Sequence, residues 1–385
     1  MDNIKKTIAE VFDEIAAGLE TGSFGKRVRV GITTLGSEHG PEEIIRGAEL
    51  AQAADPTIEV VVIGEKSDTN LTFIEVDCDK AAHEKMDSML QSGELDAAVT
   101  MHYSFPIGVS TVGRVVTPGF GRKMLVANTT GTSATHRVSA MLKNAISAIA
   151  VAKACGNPDP AVGILNIDGA RQVERALINL QENGYPIRFT ESARQDGGVV
   201  MRGNDLLQGV PDLMVMDSLT GNVIMKAMSA FTTGGSYETL GDGYGPGAGE
   251  GDDSNIGIIS CALGPPVVAG AIGSMSACAK GELLKKVDAE FALAKKAGLN
   301  RLLSSFTEAA ESSKTAEEEV TPPPEKVVTE EIPGIEILSL EDAVRVLWKK
   351  EIFATSGMGC TGPIVLVAPE DKETALSVLK EAGYL

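Results

Sequence analysis

Hydrophobic positions along the chain fall into two alternating textures. Short runs dense in β-branched and aliphatic residues, "VRVGI" (28–32), "IEVVVIG" (58–64), "DAAVT" (96–100), "KMLVAN" (123–128), "VGILNI" (162–167) and "LMVMD" (213–217), read as buried strands. Between them, segments such as 41–54, 137–153 and 169–182 repeat apolar residues at helical spacing. Such alternation predicts an α/β fold with a mainly parallel sheet covered by helices on both faces. In open sheets of this kind ligands bind beyond the carboxyl ends of strands, so the loops there are where chemistry is sought.

The pattern changes at both ends. Residues 1–24 place Ile4, Ile8, Val11, Phe12, Ile15 and Leu19 at helical spacing with acidic residues between them, which predicts an amphipathic helix and no signal peptide. The main α/β body is expected over 25–310. The stretch 311–334, acidic and Pro-rich without apolar periodicity, reads as a solvated linker. A small C-terminal α/β segment, 335–385, follows: a helix over 339–350, a loop "SGMGCTGP", a strand "PIVLVAP", and a last helix opened by Pro369 and closed by Gly383.

Composition refines this picture. Of 385 residues, 43% are hydrophobic and only 4% aromatic, with 42 glycines, so the core is aliphatic and glycine turns are numerous. A net charge of −19 argues against nucleic acid or an anionic membrane as partner. It leaves room for a small anion held by backbone N–H groups. Residues 254–279 carry no charge and are long enough to cross a bilayer, but Gly264, Pro265 and Pro266 would break a spanning helix. "IGII" there reads as a buried strand. Five cysteines (78, 155, 261, 278, 360) with no C-x-x-C and no histidines at zinc spacing suggest a reduced, cytoplasmic compartment and no metal. Cys78, Cys155, Cys261 and Cys278 read as packing residues.

Three strand-to-helix junctions share a chemistry suited to an anion. The first, "TTLGSEHGPEE" (33–43), offers Gly36, Ser37 and Gly40 before Pro41. "ANTTGTSATHR" (127–137) supplies Thr130, Ser133 and Arg137, and "MDSLTGNVIMK" (216–226) supplies Ser218, Thr220, Gly221, Asn222 and Lys226. Each alone is better explained by helix capping, and it is the three together that point to an anion. "GDGYGPGAGEGDD" (241–253) lacks the spacing of a phosphate loop and reads as a mobile lid or connection.

The motif "DSLTGNVIMK", with "TTLGSEHGPEEIIRGAELA", resembles the acyl-carrier-protein:phosphate acyltransferases over roughly 25–300. That resemblance implies the three-layer α/β/α sandwich shared with phosphotransacetylases and isocitrate-dehydrogenase-like proteins. The chain departs from the family at Gly36-Ser37-Glu38 and at Asp217-Ser218-Leu219, which argues against a long-chain acyl-carrier-protein substrate. The whole chain, and "LWKKEIFATSGMGCTGPIVLV" most specifically, resembles the alpha subunits of component C of the glycine, sarcosine and betaine reductase complex. The resemblance implies release of a two-carbon unit as acetyl phosphate, with inorganic phosphate as co-substrate and no cofactor. Its implied partners are a thiolase-like beta subunit and the selenoprotein A that carries the unit, within an oligomer.

In this reading Cys360 holds the acetyl group as a thioester, which phosphate attacks. Gly357, Gly359 and Gly362 can turn backbone N–H groups toward an oxyanion. His39, His102 and His136 lie on or near strand-end loops, and His39 and His136 rank first as activating groups because their loops are also anion candidates. Two alternatives stay open: acyl transfer to phosphate with no covalent intermediate, and a non-catalytic subunit whose tail docks the beta subunit.

Overall fold

The computed structural model describes residues 27–194, 197–306, 320–336, 339–359 and 362–385, with a few helical positions between 11 and 19. The expected helix over 1–24 and the first part of the expected linker, 311–319, therefore lie largely outside the described residues, as do Cys360 and Thr361.

Twelve strands form one sheet: β1 (Val28–Thr33), β2 (Ile58–Gly64), β3 (Thr72–Glu75), β4 (Ala97–Thr100), β5 (Ser110–Val116), β6 (Lys123–Gly131), β7 (Ala161–Leu165), β8 (Arg188–Phe189), β9 (Val200–Met201), β10 (Leu213–Val215), β11 (Gly245–Ala248) and β12 (Ile256–Ile258). Their order is β3-β2-β1-β4-β12-β11-β5-β6-β10-β7-β8, with β9 also paired to β7. The helices are α1 (Pro41–Ala54), α2 (Asp79–Gln91), α3 (Arg137–Ala154), α4 (Ala170–Glu182), α5 (Gly203–Gln208), α6 (Ser218–Ala230), α7 (Pro265–Lys280) and α8 (Leu283–Lys296).

Strand residues alternate between two cores, as the period of two requires. Val60 and Val62 pack with Ile44, Ala48 and Val268 of α1 and α7, while Leu125 and Ala127 pack with Met141, Leu177 and Phe291 of α3, α4 and α8. Val61, Ile63, Met124 and Val126 turn to the other face, against Met86, Met89, Met225 and Met228 of α2 and α6. The result is an α/β/α arrangement whose second face is filled by methionine, which adapts to irregular gaps.

The sheet is not uniformly parallel. β11 pairs antiparallel with both β12 and β5, and β5 antiparallel with β6. The half containing β6, β10 and β7 therefore runs opposite to the half containing β2, β1, β4 and β12. Consequently the loops after β6 and β10 do not leave the same edge as the loop after β1, contrary to the single edge expected from sequence.

A second correction concerns 241–253. Residues 245–248 are no lid but the fully buried strand β11 at the sheet centre. Glycine is demanded by close approach: a Cβ on Gly245 would stand 1.8 Å from the Val112 carbonyl oxygen, and one on Gly247 2.6 Å from the Phe105 ring. The same residues that read as loop-forming are what let a strand pass between crowded neighbours.

Residues 330–385 build a separate three-stranded sheet, β13 (Glu330–Pro333), β15 (Gly362–Val367) and β14 (Ala354–Gly359), covered by α9 (Leu340–Trp348) and α10 (Lys372–Glu381). Its core joins Ile332, Leu347, Val365 and Leu379. The expected linker thus ends in a strand, anchored by the buried Ile332, and the expected loop "SGMG" is strand β14, paired with β15 from Ala354 to Gly359.

No single helix among the described residues is long and apolar enough to cross a membrane. α7 and α8 together reach that length but bend by 64°, and Val267, Val268, Ile272 and Met275 of α7 are buried in the core.

Candidate active site

Helix α6 starts where β10 ends and packs back across β6 and β5. Gly221 permits this, since a Cβ there would lie 1.7 Å from the Asn128 carbonyl oxygen. On the next residue, Asn222 Nδ2 donates to the Thr129 carbonyl at 3.1 Å. One turn further, Lys226 Nζ sits 5.6 Å from the Tyr244 ring centre and 3.9 Å from Glu238 Oε1. From the opposite half of the sheet come His102, just past β4, and Ser260 and Cys261, just past β12. Thr130, Asn222, Lys226, Tyr244, His102 and Cys261 line one hollow of about 240 Å³. Oppositely directed halves therefore still deliver their loops to a common place, because α6 carries Asn222 and Lys226 back over the sheet.

Within this hollow Cys261 Sγ lies 2.9 Å from His102 Nε2. Cys261 is half-buried and packs against the core beside α1 and α7, as its apolar context suggests, while its sulfur also reaches the hollow. Burial and the nearby Glu38 carboxylate push its thiol pKa up, against a downward pull from Lys226. The donor across this contact depends on the imidazole tautomer: with its proton on Nδ1, the ring accepts from the thiol on Nε2. The 34–40 loop packs against this pair. Gly36 has φ +93°, and a Cβ there would come 3.2 Å from His102 Cδ2. The Glu38 N–H donates to the Cys261 carbonyl at 2.9 Å. Ser37 and Gly40 are turned to local duties: Ser37 Oγ accepts from the His39 N–H at 3.2 Å, and Gly40 precedes Pro41. The first turn of α1 already carries Glu42 and Glu43, so its positive end is balanced from within. The His39 ring is exposed and meets Tyr237 edge-on at 5.5 Å.

A second hollow of about 340 Å³ lies against the start of α6, lined by Asn128, Arg137, Asp217, Ser218 and Thr220 among others. Asp217 caps α6, accepting from the Thr220 N–H at 3.0 Å and the Thr220 hydroxyl at 2.8 Å. Arg137 joins Asp217 at 2.9 Å and Asp168 at 3.3 Å. Burial raises the Asp217 pKa, but the Thr220 bonds and Arg137 outweigh it and hold the carboxyl below its usual range. An anion approaching Arg137 must compete with two carboxylates already there. Ser133 is buried and its hydroxyl is committed to Asn144 Oδ1 at 2.6 Å and the Ala140 carbonyl at 3.0 Å. His136 caps α3, with Nδ1 accepting from the Ser139 N–H at 3.4 Å, and stacks on Phe306 with ring centres 6.1 Å apart. Burial lowers its pKa.

The C-terminal segment touches the body at the start of α4, the helix after β7. The Glu336 carboxylate accepts from the Gly169 N–H at 2.8 Å and the Arg171 N–H at 2.6 Å, a charge-assisted contact at a helix N-terminus. The cleft between them encloses about 530 Å³ and includes His136, Arg175 and Tyr384. Gly357 and Gly359 are strand residues of β14, and Gly359 pairs with Gly362 of β15. The residues that join them, Cys360 and Thr361, lie outside the described residues.

Of the predicted anion residues, Thr130, Asn222 and Lys226 share one hollow and Arg137, Ser218 and Thr220 another, while Ser133, His39 and His136 line neither. Cys261, Ser260 and Tyr244, which line the first hollow, were not singled out as site residues in the sequence, and His102 was ranked behind His39 and His136. Cys155 and Cys278 do pack inside, with sulfurs 3.7 Å apart. Cys78 is exposed at the start of α2.

Comparison with known proteins follows this geometry. A family model described as "Fatty acid synthesis protein" matches residues 28–366. The alpha subunit of component C of the glycine/sarcosine/betaine reductase complex from Peptoclostridium acidaminophilum is 54% identical over 385 residues, covering 100% of both chains. A phosphate acyltransferase from Thermus thermophilus is 25% identical over 237 residues, 52% of this chain and 70% of that one. Among solved structures, a branched-chain phosphotransacylase from Enterococcus faecalis V583 aligns with a TM-score of 0.46 at 16% identity, covering 65% of this chain and 99% of that one. The chain belongs to the fatty acid synthesis protein family, in the branch represented by the alpha subunit of component C of the glycine/sarcosine/betaine reductase complex.

Proposed function

We propose that the chain transfers an acetyl group from a thioester to inorganic phosphate and releases acetyl phosphate, as the alpha subunit of a component C. The observation that carries this reading is the hollow where Thr130, Asn222 and Lys226 meet His102 and Cys261: a cation, an amide and hydroxyls around a space of about 240 Å³. Full-length similarity to a component C alpha subunit supports the assignment to that complex.

In the proposed step Cys360 carries the acetyl thioester. A phosphate oxygen attacks the carbonyl carbon, the tetrahedral oxyanion collapses, the C–S bond breaks and the electron pair leaves on sulfur as thiolate. Gly357, Gly359 and Gly362 supply backbone near that oxyanion. Lys226 offsets phosphate charge in the hollow. The His102 imidazole is the proton acceptor nearest the hollow, which places it ahead of His39 and His136 for the proton that phosphate loses. The unit arrives from selenoprotein A through a thiolase-like beta subunit, and no cofactor takes part.

Arsenate tests the reading, because an acetyl arsenate hydrolyses and makes the exchange irreversible. Purified chain with acetyl phosphate should release phosphate faster when arsenate is added, and Cys360→Ala should lose most of that acceleration. Equal arsenate-dependent release by the variant would refute the covalent step.

A further inference from the structure

We propose that Cys261 is a second acyl-accepting thiol, on the body of the protein, with His102 as its general base. This rests on the acyl phosphate chemistry proposed above and adds a covalent station to it.

Among the described cysteines, Cys261 has an imidazole within hydrogen-bond reach, with Cys261 Sγ 2.9 Å from His102 Nε2. The pair lies open to the hollow: His102 is exposed and Cys261 only half-buried. Both sides of the pair are held in place by features with no evident packing role. His102 takes a left-handed backbone, φ 55°, which a non-glycine residue adopts only where its surroundings impose it. Gly36 leaves room for its ring, since any side chain there would crowd His102 Cδ2 at 3.2 Å. The Cys261 backbone is pinned by the Glu38 N–H at 2.9 Å. Lys226 and Asn222 stand across the same hollow and suit the anionic half of a substrate. A volume of about 240 Å³ admits a short acyl phosphate.

With its proton on Nδ1, the imidazole accepts the Cys261 S–H proton on Nε2 as sulfur attacks the acyl carbon. The carbonyl π pair moves to oxygen, returns as the C–O bond to phosphate breaks, and phosphate leaves with that electron pair. The imidazolium returns its proton to the departing phosphate, leaving a Cys261 thioester. The reverse steps regenerate acyl phosphate, and no oxidant or reductant is needed.

The test uses full-length chains carrying Cys360→Ala, Cys261→Ala or Cys360→Ala with His102→Gln. Each is mixed with isotopically labelled acetyl phosphate, quenched in acid and mapped by peptide mass. The expected result is hydroxylamine-labile acetyl on the peptide containing Cys261 in Cys360→Ala. Adding His102→Gln should slow its appearance by about 10²-fold, the usual worth of a positioned base. In Cys261→Ala that label should be absent at an unchanged melting temperature. Label confined to Cys360 of the wild-type chain overturns this inference and leaves the proposed function standing. Label on Cys261 but not on Cys360 sustains the inference and overturns the Cys360 thioester. Label on neither overturns both.

Discussion

At Asp217, a single side chain ties the local code to the site. It caps α6, neutralises Arg137 and lines the second hollow, and its carboxyl is held below its ordinary 3.8. Replacing it with Ala should cost about 1 kcal/mol, the usual worth of an N-cap, read as a lower denaturant midpoint. Because the folded carboxyl titrates below the unfolded one, its charge contributes fully above about pH 4 and is lost as pH falls through the lowered folded value. The gap between wild type and variant should therefore narrow in acid, and a constant gap would show that the Thr220 and Arg137 contacts do not depend on its charge. Gly221 and Lys226 were singled out in "DSLTGNVIMK", but the capping role of Asp217 was not, and the helix begins at Ser218 rather than after Asn222. The Cys261–His102 pair was not legible, because 159 residues separate its members and neither sits in a local motif.

Elements whose strength lies in apolar runs were legible to within a residue or two: 41–54 is α1, 58–64 is β2 and 137–154 is α3. β11 was not, because its sequence, Gly-Pro-Gly-Ala, is selected by backbone crowding that only its neighbours reveal. Gly245→Ala should lower stability by about 1–3 kcal/mol as the new methyl meets the Val112 carbonyl. Gly203→Ala, at an open position beginning α5, should be neutral or stabilising by up to about 1 kcal/mol. Thermal unfolding of the two variants checks the contrast, and equal effects would contradict the crowding account. The reversal of direction across β11 and β5 was hidden for the same reason, since strand runs carry no mark of polarity.

For the molecule as a whole, a net charge of −19 means that any anion is held by local groups against the global field. The hollow answers this with Lys226, Asn222 and Thr130, and the Glu336 contact at the start of α4 joins the C-terminal segment to the same body. The central claim is that an acetyl thioester on this chain is consumed by phosphate. Its most direct measurement is a single turnover: acetylate the protein with labelled acetyl phosphate, remove free reagent by rapid gel filtration, add phosphate or sulfate, and identify the labelled product. The account predicts labelled acetyl phosphate, in an amount matching the protein-bound label, with phosphate and none with sulfate. Label that persists on the protein, or leaves as acetate at the same rate in both, would contradict it.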